Sequence, residues 1–150
     1  MRLAIVGAGP AGLAAAHALR NAAGIYTTVF EKSRGVSGRA ATRWRDVPGP
    51  DGETVRWRFD HGAQYLGPDP GSPIAGVLRD LLGDDLAEIE GTVWPFDDEG
   101  VLRPDEAREG GARWTLADGI ASLGHLLIDA TPDLTRVQKA RVVRLDRQAA

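Results

Sequence analysis

The sequence contains no cysteine among its 150 residues. This absence excludes disulfide bonds, thiolate metal sites, cysteine nucleophiles and a cysteinyl link to any cofactor within the chain. Long apolar runs are also missing, because none approaches the roughly 18 residues that a membrane-spanning helix needs. We therefore expect a cytoplasmic protein with no membrane partner.

Clustered positive charge is absent as well, and the chain has only three histidines. The net charge is −3, the sequence pI is about 5.6, and lysine and arginine form no run. Nucleic-acid binding needs a basic patch, so we expect no nucleic-acid partner. His17, His61 and His125 show no metal-ligand spacing, and no serine nucleophile lies beside His61. We expect no metal site, and the sequence identifies no catalytic residue.

The first 31 residues have the order strand, glycine turn, helix, strand and acid. The apolar run 3–6 leads directly into the glycine turn at 7–12. Strong helix formers follow at 13–20, and a second apolar run at 27–30 ends at Glu31. This order predicts a dinucleotide-binding βαβ unit, and therefore an α/β protein with a Rossmann-like domain that binds FAD or NAD(P).

Each part of the motif has a physical role in binding a dinucleotide. Gly7 permits the tight turn out of the strand, Gly9 lets a pyrophosphate approach the backbone, and Gly12 lets the helix pack closely on the sheet. The first helical turn, starting at Pro10–Ala11, directs unpaired N–H groups and the positive end of the helix dipole at the phosphates. Glu31 lies 19 positions after Gly12, which suits an acid that binds the ribose hydroxyls.

Two other interpretations of this stretch compete. A secretory signal would use Arg2, the apolar run and the small residues at 16–18 as its cleavage site. A strand-to-helix connection without a ligand would need no acid at its end. Glycines at three fixed offsets and a second strand that ends in Glu31 favour the dinucleotide site over both.

The segment from Lys32 to Arg43 is small and basic, and we expect it to form a loop. Gly35, Ser37 and Gly38 permit close backbone approach, and Arg39 can hold a pyrophosphate through two parallel hydrogen bonds. A solvated basic loop is the alternative, but its position directly after Glu31 favours phosphate binding.

The hexapeptide from Asp60 to Tyr65 holds the densest polar chemistry of the chain. It follows a run at 55–59 whose apolar and polar residues alternate, as is typical of a half-buried strand. Asp60, His61, Gln64 and Tyr65 could act in acid–base chemistry. His61 could equally be structural and hydrogen-bonded, and the sequence leaves both roles open.

The rest of the chain predicts further helices and strands. Ser72 and Pro73 predict the start of a helix that reaches 82, and apolar spacing predicts another helix over 119–128. Short strands are expected at 134–137 and 140–145. Trp94 and Phe96 could line a substrate cavity or belong to a core.

Four stretches together resemble the two-dinucleotide-binding-domain flavoproteins, in particular the amine-oxidase superfamily and, within it, the renalase-like oxidoreductases. Ser37 departs from that pattern, since it replaces the first of two adjacent glycines. The third stretch is the most specific to the renalase-like branch. The four stretches are 7–12 with Glu31, 35–43, 59–65, and 118–127 followed by 141–145.

This resemblance implies FAD as the cofactor and assigns residues to its parts. The glycine turn would hold the pyrophosphate together with Arg39, and Glu31 would bind the adenosine ribose. The turn after Asp60 would approach the flavin, and the backbone of Val142 would meet the adenine edge. The residues implied to bind the cofactor are Gly7, Gly9, Pro10, Ala11, Gly12, Glu31, Lys32, Gly38, Arg39, Gly62, Ala63, Gln64, Tyr65 and Val142.

The resemblance also implies a domain organisation and a reaction. Residues 1–65 and 115–150 would form an incomplete FAD-binding domain, and 66–114 would begin an inserted α+β substrate domain. Relatives are much longer, so we expect either the N-terminal portion of an oxidoreductase or a truncated relative. In the family a hydride passes from a small-molecule substrate, a dihydronicotinamide or an amine, to flavin N5, and dioxygen or another acceptor reoxidises the flavin.

Three alternatives stay open at this point. A carotenoid- or protoporphyrinogen-type desaturase would share the first two stretches, but the segment 59–65 disfavours it. A non-catalytic FAD-binding fragment would retain the cofactor without turning anything over. A module that binds only NAD(P) is disfavoured by the basic loop around Arg39.

Overall fold

Three parallel strands form the main sheet of the computed structural model, which describes residues 1–69, 71–91, 94–95, 97–102 and 112–147. The described helices and strands, in chain order, are β1 (Arg2–Val6), α1 (Pro10–Ala18), β2 (Tyr26–Glu31), β3 (Ala40–Pro48), β4 (Thr54–Gly62), α2 (Pro73–Leu82), β5 (Leu86–Glu88), β6 (Trp114–Leu116), α3 (Ser122–Asp129) and β7 (Thr135–Gln138).

The main sheet has the strand order β1-β2-β7. Ile5 pairs with Val29, and Phe30 pairs with Val137, both in parallel register. Because the strands are parallel, β1 and β2 end at the same edge of the sheet. The glycine turn follows β1 there, and Glu31 is the last residue of β2. The predicted strands at 3–6 and 27–30 are confirmed, and so is the Rossmann-like α/β fold.

The core of this part of the chain lies between the sheet and the two helices α1 and α3, which pack against each other. α1 forms because Pro10 presets the first helical position and the residues after Gly12 are mostly alanine and leucine. α3 starts at Ser122, three residues later than predicted, because the preceding segment turns at Gly119, which has φ +91°. The buried apolar residues here include Leu13, Ala16, Val29, Ile120, Leu123 and Leu127.

The strands β3 and β4 form a separate antiparallel hairpin. Its register pairs Ala40 with Gly62 and Thr42 with Asp60. The strand predicted over 55–59 is confirmed and is longer than expected. The prediction of a loop through Arg43 was wrong in its last third, since β3 begins at Ala40. The strand character of β3 depends on pairing with partners 6 to 22 residues further along the chain, which local composition does not report.

The described residues divide into two compact units, Met1–Ala63 with Asp118–Ala150, and Gln64–Ala117. In the second unit, α2 begins after Ser72 as predicted, and β5 pairs with β6. The guanidinium of Arg79 lies 4.7 Å from the ring centre of the buried Trp114. That the first unit binds a cofactor and the second begins a substrate domain stays a prediction.

Two further predictions met different outcomes. The strand predicted at 140–145 does not form. Val143 and Leu145 are 86% and 83% exposed. An apolar run becomes a strand only where a partner strand supplies hydrogen bonds along it. Trp94 is 55% exposed and so belongs to no core formed by the described residues. Phe96, predicted to share its role, lies outside the described residues.

Candidate functional site

The three glycines of the turn after β1 meet three different surroundings. Gly7 has φ +103°, a conformation that only glycine adopts without strain, and its N–H donates to the carbonyl of Phe30. A Cβ added to Gly12 would lie 2.1 Å from the carbonyl oxygen of Gly7, whereas a Cβ on Gly9 would meet nothing within 4 Å. Gly12 is therefore required for packing, and Gly9 leaves room on its open side.

The N-terminus of α1 starts at this turn. Gly9 is its N-cap and Pro10 its first residue, and no side chain caps the helix or places an acid in its first turn. The N–H groups at Ala11 and Gly12 precede the first intrahelical bond, which Leu13 donates to the carbonyl of Gly9 at 3.0 Å. The helix therefore presents unpaired donors and the positive end of its dipole beside Gly9, which suits an anionic ligand.

The carboxylate of Glu31 holds the glycine turn and the following loop together. One of its oxygens accepts a hydrogen bond from the N–H of Ala8 at 2.8 Å, and the other accepts one from the N–H of Ser33 at 2.7 Å. Burial opposes ionisation of this carboxyl, but the hydrogen bonds from Ala8 and Ser33, with the charge of Lys32, lower its pKa below the ordinary value. Glu31 is therefore an anion at neutral pH.

A cleft of about 210 Å³ opens beside Glu31, at the edge of the sheet where β1 and β2 end. Four residues predicted to bind the cofactor line it: Gly7, Glu31, Lys32 and Val142. Val142 reaches the cleft because the chain after β7 is tied to β2, the N–H of Ala140 donating to the carbonyl of Glu31 at 2.9 Å. Residues far apart in sequence thus meet at one place.

A cavity of similar size, about 190 Å³, lies at the opposite end of α1 and contains none of the predicted site residues. Leu19, Arg20 and Pro132 are among its lining residues. The carbonyl end of a helix carries partial negative charge, which disfavours a phosphate there. The cleft beside Glu31 is therefore the better candidate for a dinucleotide.

The loop 35–39, which we call the pyrophosphate arm after the ligand predicted for it, lies against the glycine turn. Gly38 has φ +53°, and a Cβ on it would lie 3.3 Å from the Cα of Gly9. Arg39 follows directly and is exposed, with no hydrogen bond or ion pair to its guanidinium in the part of the chain that the structure describes. Arg39 thus directly follows the residue that packs against Gly9, and its binding of a pyrophosphate stays a prediction.

The end of β4 lies beside the pyrophosphate arm. The N–H of Ala63 donates to the carbonyl of Arg39 at 3.0 Å, and a Cβ on Gly62 would lie 2.4 Å from the same oxygen. Gly62 and Ala63 are thus next to Arg39. Gln64 and Tyr65, predicted with them, belong to the second compact unit, and their role stays a prediction.

Asp60 and Thr42 hold the start of α3. The hydroxyl of Thr42 donates to the Asp60 carboxylate at 2.6 Å and accepts a bond from the N–H of Ala121 at 3.0 Å; Asp60 also accepts the N–H of Ile120. A Cβ on Gly119 would lie 2.5 Å from the Thr42 hydroxyl. The sequence offered no signal for this arrangement, because the hairpin register is what pairs the two side chains.

His61 is exposed, and its Nε2 accepts a hydrogen bond of 2.8 Å from Arg43 across the hairpin. This contact favours the structural role that the sequence left open. No group of three or more His, Asp or Glu side chains among the described residues could hold a metal ion. No helix within the described ranges is both long and apolar enough to cross a membrane.

A comparison with known domain families matches the part of the chain that contains the glycine turn and Glu31. The sequence model for NAD(P)-binding Rossmann-like domains matches residues 5–81, just over half of the chain. No curated protein matches the chain.

Solved structures with a similar fold cover almost the whole chain. Native FqzB has 15% identity and a TM-score of 0.54, with 99% of this chain and 30% of that one aligned. A mutant of PqsL from P. aeruginosa has 17% identity and a TM-score of 0.52, with 99% and 36% aligned. The p-nitrophenol 4-monooxygenase PnpA from Pseudomonas putida DLL-E4 has 17% identity and a TM-score of 0.50, with 97% and 33% aligned. At these identities the similarity shows the fold alone, and the chain spans about a third of their length.

Proposed function

The chain belongs to the NAD(P)-binding Rossmann-like domain family, and we propose that it binds FAD as part of a flavin-dependent oxidoreductase of the renalase-like or amine-oxidase type. One observation carries the proposal. Gly7 of the glycine turn lines the cleft beside Glu31, and Gly38, which precedes the exposed Arg39, lies against Gly9 of the same turn. Ligands of such sheets bind at this edge.

The predicted site residues suit the parts of FAD. The adenosine would occupy the cleft, with its ribose hydroxyls at Glu31, Lys32 beside it and the backbone of Val142 at the adenine edge. The pyrophosphate would lie over Gly9, where the first turn of α1, beginning at Pro10 and Ala11, directs N–H groups at it. Arg39 would bind the same group bidentately.

FAD, when bound, supplies the acceptor for a hydride from the substrate, and dioxygen reoxidises it. The role of this chain is to bind and orient the cofactor. Gly62, Ala63, Gln64 and Tyr65 would extend from the pyrophosphate arm toward the flavin. The substrate class we propose is a dihydronicotinamide or an amine, in a cytoplasmic enzyme.

The first experiment is a titration of the purified chain with FAD and, separately, with NAD⁺, followed by flavin absorbance and by calorimetry. We expect FAD to bind and NAD⁺ to bind more weakly. Tighter binding of NAD⁺ would instead favour a module that binds only NAD(P). Bound flavin that neither dihydronicotinamides nor amines bleach without oxygen would favour a non-catalytic module.

Arg39→Ala tests the pyrophosphate assignment. We expect FAD to bind about tenfold or more weakly, because a charge-assisted bidentate contact contributes roughly 1.5–3 kcal/mol. Arg2→Ala is the matched control, since it removes the same charge at the far end of β1. Equal FAD affinity in both variants would contradict the role of Arg39.

A further inference from the structure

Ser37 occupies a position that its residue type does not favour. Its backbone has φ +72°, in the left-handed region where glycine is preferred, and the residue is fully buried at 0% exposure. This backbone conformation costs free energy for a serine, and the hydrogen bonds of its hydroxyl offset that cost.

The hydroxyl of Ser37 bonds twice to the start of α3. It donates to the carbonyl of Ala121 at 2.6 Å and accepts the N–H of Gly124 at 3.0 Å. These partners lie 84 and 87 residues away in sequence. The hydroxyl therefore bridges the carbonyl of Ala121 and the N–H of Gly124, which also bond to each other at 3.3 Å in the turn that begins α3.

The backbone of Ser37 bonds to the glycine turn. Its N–H donates to the carbonyl of Ala8 at 2.8 Å, and the next residue, Gly38, lies against the Cα of Gly9. One residue thus joins three parts of the site: the glycine turn, the pyrophosphate arm and the start of α3.

Gly124 leaves the space that this hydroxyl occupies. A Cβ added to Gly124 would lie 2.1 Å from the Ser37 Oγ and 3.1 Å from the Ser37 backbone N. The glycine thus makes room for the hydroxyl within hydrogen-bond distance of its own N–H. The two residues form a matched pair.

We infer that Ser37 is a positioning residue of the dinucleotide site: its hydroxyl locks the pyrophosphate arm to α3, and so holds Gly38 and Arg39 in place against the glycine turn. This inference rests on the proposed function for its effect on nucleotide affinity. The lock itself is a property of the described contacts and can be measured without any ligand.

Two substitutions separate the hydroxyl from the backbone conformation. Ser37→Ala removes the hydroxyl and keeps the unfavourable φ, whereas Ser37→Gly removes the hydroxyl and relieves the φ. We expect both variants to bind ADP and FAD about tenfold more weakly, measured where each is fully folded, because one buried and one partly buried hydrogen bond are lost. If Ser37→Gly bound both probes as tightly as the unmodified chain, only the conformation would matter and the inference would fail.

Ser122→Ala is the matched control. Its hydroxyl donates to the carbonyl of Gly119 at 2.7 Å, within the segment that begins α3, and does not reach the pyrophosphate arm. We expect its ADP and FAD affinities to stay within twofold of the unmodified chain. A loss equal to that of Ser37→Gly would mean that loosening α3 alone weakens binding, which would overturn the specific role of Ser37.

Amide hydrogen exchange tests the lock without a nucleotide. In Ser37→Gly we expect faster exchange both at 7–12 and at 119–124, whereas Ser122→Ala should affect the second segment only. Unchanged exchange at 7–12 would overturn the inference even if FAD bound. Faster exchange in a chain that binds neither ADP nor FAD would support the lock and would refute the proposed function instead.

Discussion

Gly9 and Gly12 stand three positions apart in one motif and tolerate substitution differently. We predict that Gly12→Ala destabilises the fold by roughly 1–3 kcal/mol or more, because its Cβ would lie 2.1 Å from the carbonyl of Gly7. Gly9→Ala, with nothing within 4 Å of its Cβ, should keep the thermal midpoint within a few degrees and lose FAD affinity.

Thermal melts with and without FAD measure both effects. The prediction fails at Gly9 if the alanine variant is stabilised by FAD as strongly as the unmodified chain. It fails at Gly12 if the alanine variant melts at the unmodified temperature, since the packing of α1 on the turn would then need no glycine.

Glu31 makes the stability of the chain depend on acid pH. Its pKa is lowered in the folded chain, so its contribution is complete above the unfolded value near 4.5 and is lost as the pH falls through the lower folded value. Urea melts from pH 6 downward should show decreasing stability below about 4.5. Glu31→Gln should flatten that decrease, and an unchanged pH dependence would show that other carboxyls cause it.

His17 acts at a higher pH and can be separated from Glu31. Burial, with the charge of Arg20, lowers the pKa of His17 below 6.5 in the folded chain. Its contribution is therefore complete above about 6.5 and lost as the pH falls through its lower folded value. In urea melts, His17→Gln should remove the decrease that begins near pH 6.5 and keep the decrease below about 4.5.

At the scale of the elements, α2 contains a glycine that its helix does not need. Gly76 is exposed in the helix interior, and a Cβ there would meet nothing within 4 Å. Gly76→Ala should therefore stabilise the chain by about 0.5–1 kcal/mol in urea melts. Gly83→Ala is the control at the end of the same helix and should destabilise, because Gly83 has φ +48°. Equal effects at both positions would contradict the role of backbone conformation.

The hydroxyl of Thr42 supplies part of the contact between the hairpin and the start of α3, beside the bond from Ile120 to Asp60. Thr42→Val keeps the shape of the side chain and removes the bonds to Asp60 and Ala121, so we expect a loss of about 1–3 kcal/mol in the free energy of unfolding. Thr54→Val, at the exposed far end of the hairpin, should stay within about 0.5 kcal/mol. A Thr42 variant as stable as the Thr54 variant would show that the hairpin needs no anchor on α3.

At the scale of the whole molecule, the proposed cofactor should act on one compact unit. FAD at about 100 times its dissociation constant should add roughly 2.7 kcal/mol to the stability of the structure that binds it. We expect amide exchange to slow in 1–63 and 118–147 and to change little in the described parts of 64–117. FMN, which lacks the adenosine, should give no such protection. Protection centred on 64–117 would refute the proposed assignment of domains.

The sequence by itself determined the parts of the site whose causes are local. The glycine turn, the helix after Pro10 and the apolar runs on either side predicted the βαβ unit, because turn conformation and helix propensity depend on neighbouring residues. The interval between Gly12 and Glu31 predicted an acid that binds ribose hydroxyls, a role that stays a prediction, whereas its bond to Ala8 came from the structure.

Only the tertiary structure decided the contacts between distant segments. The bonds from Ser37 to α3, the pairing of Thr42 with Asp60 and the approach of Val142 to Glu31 join residues 18 to 111 positions apart. The apolar run at 140–145 forms no strand, although Ala140 bonds to Glu31, whereas β3 became a strand by pairing with β4. Such contacts depend on strand register and on how helices pack, and these are set by the fold as a whole rather than by any window of sequence.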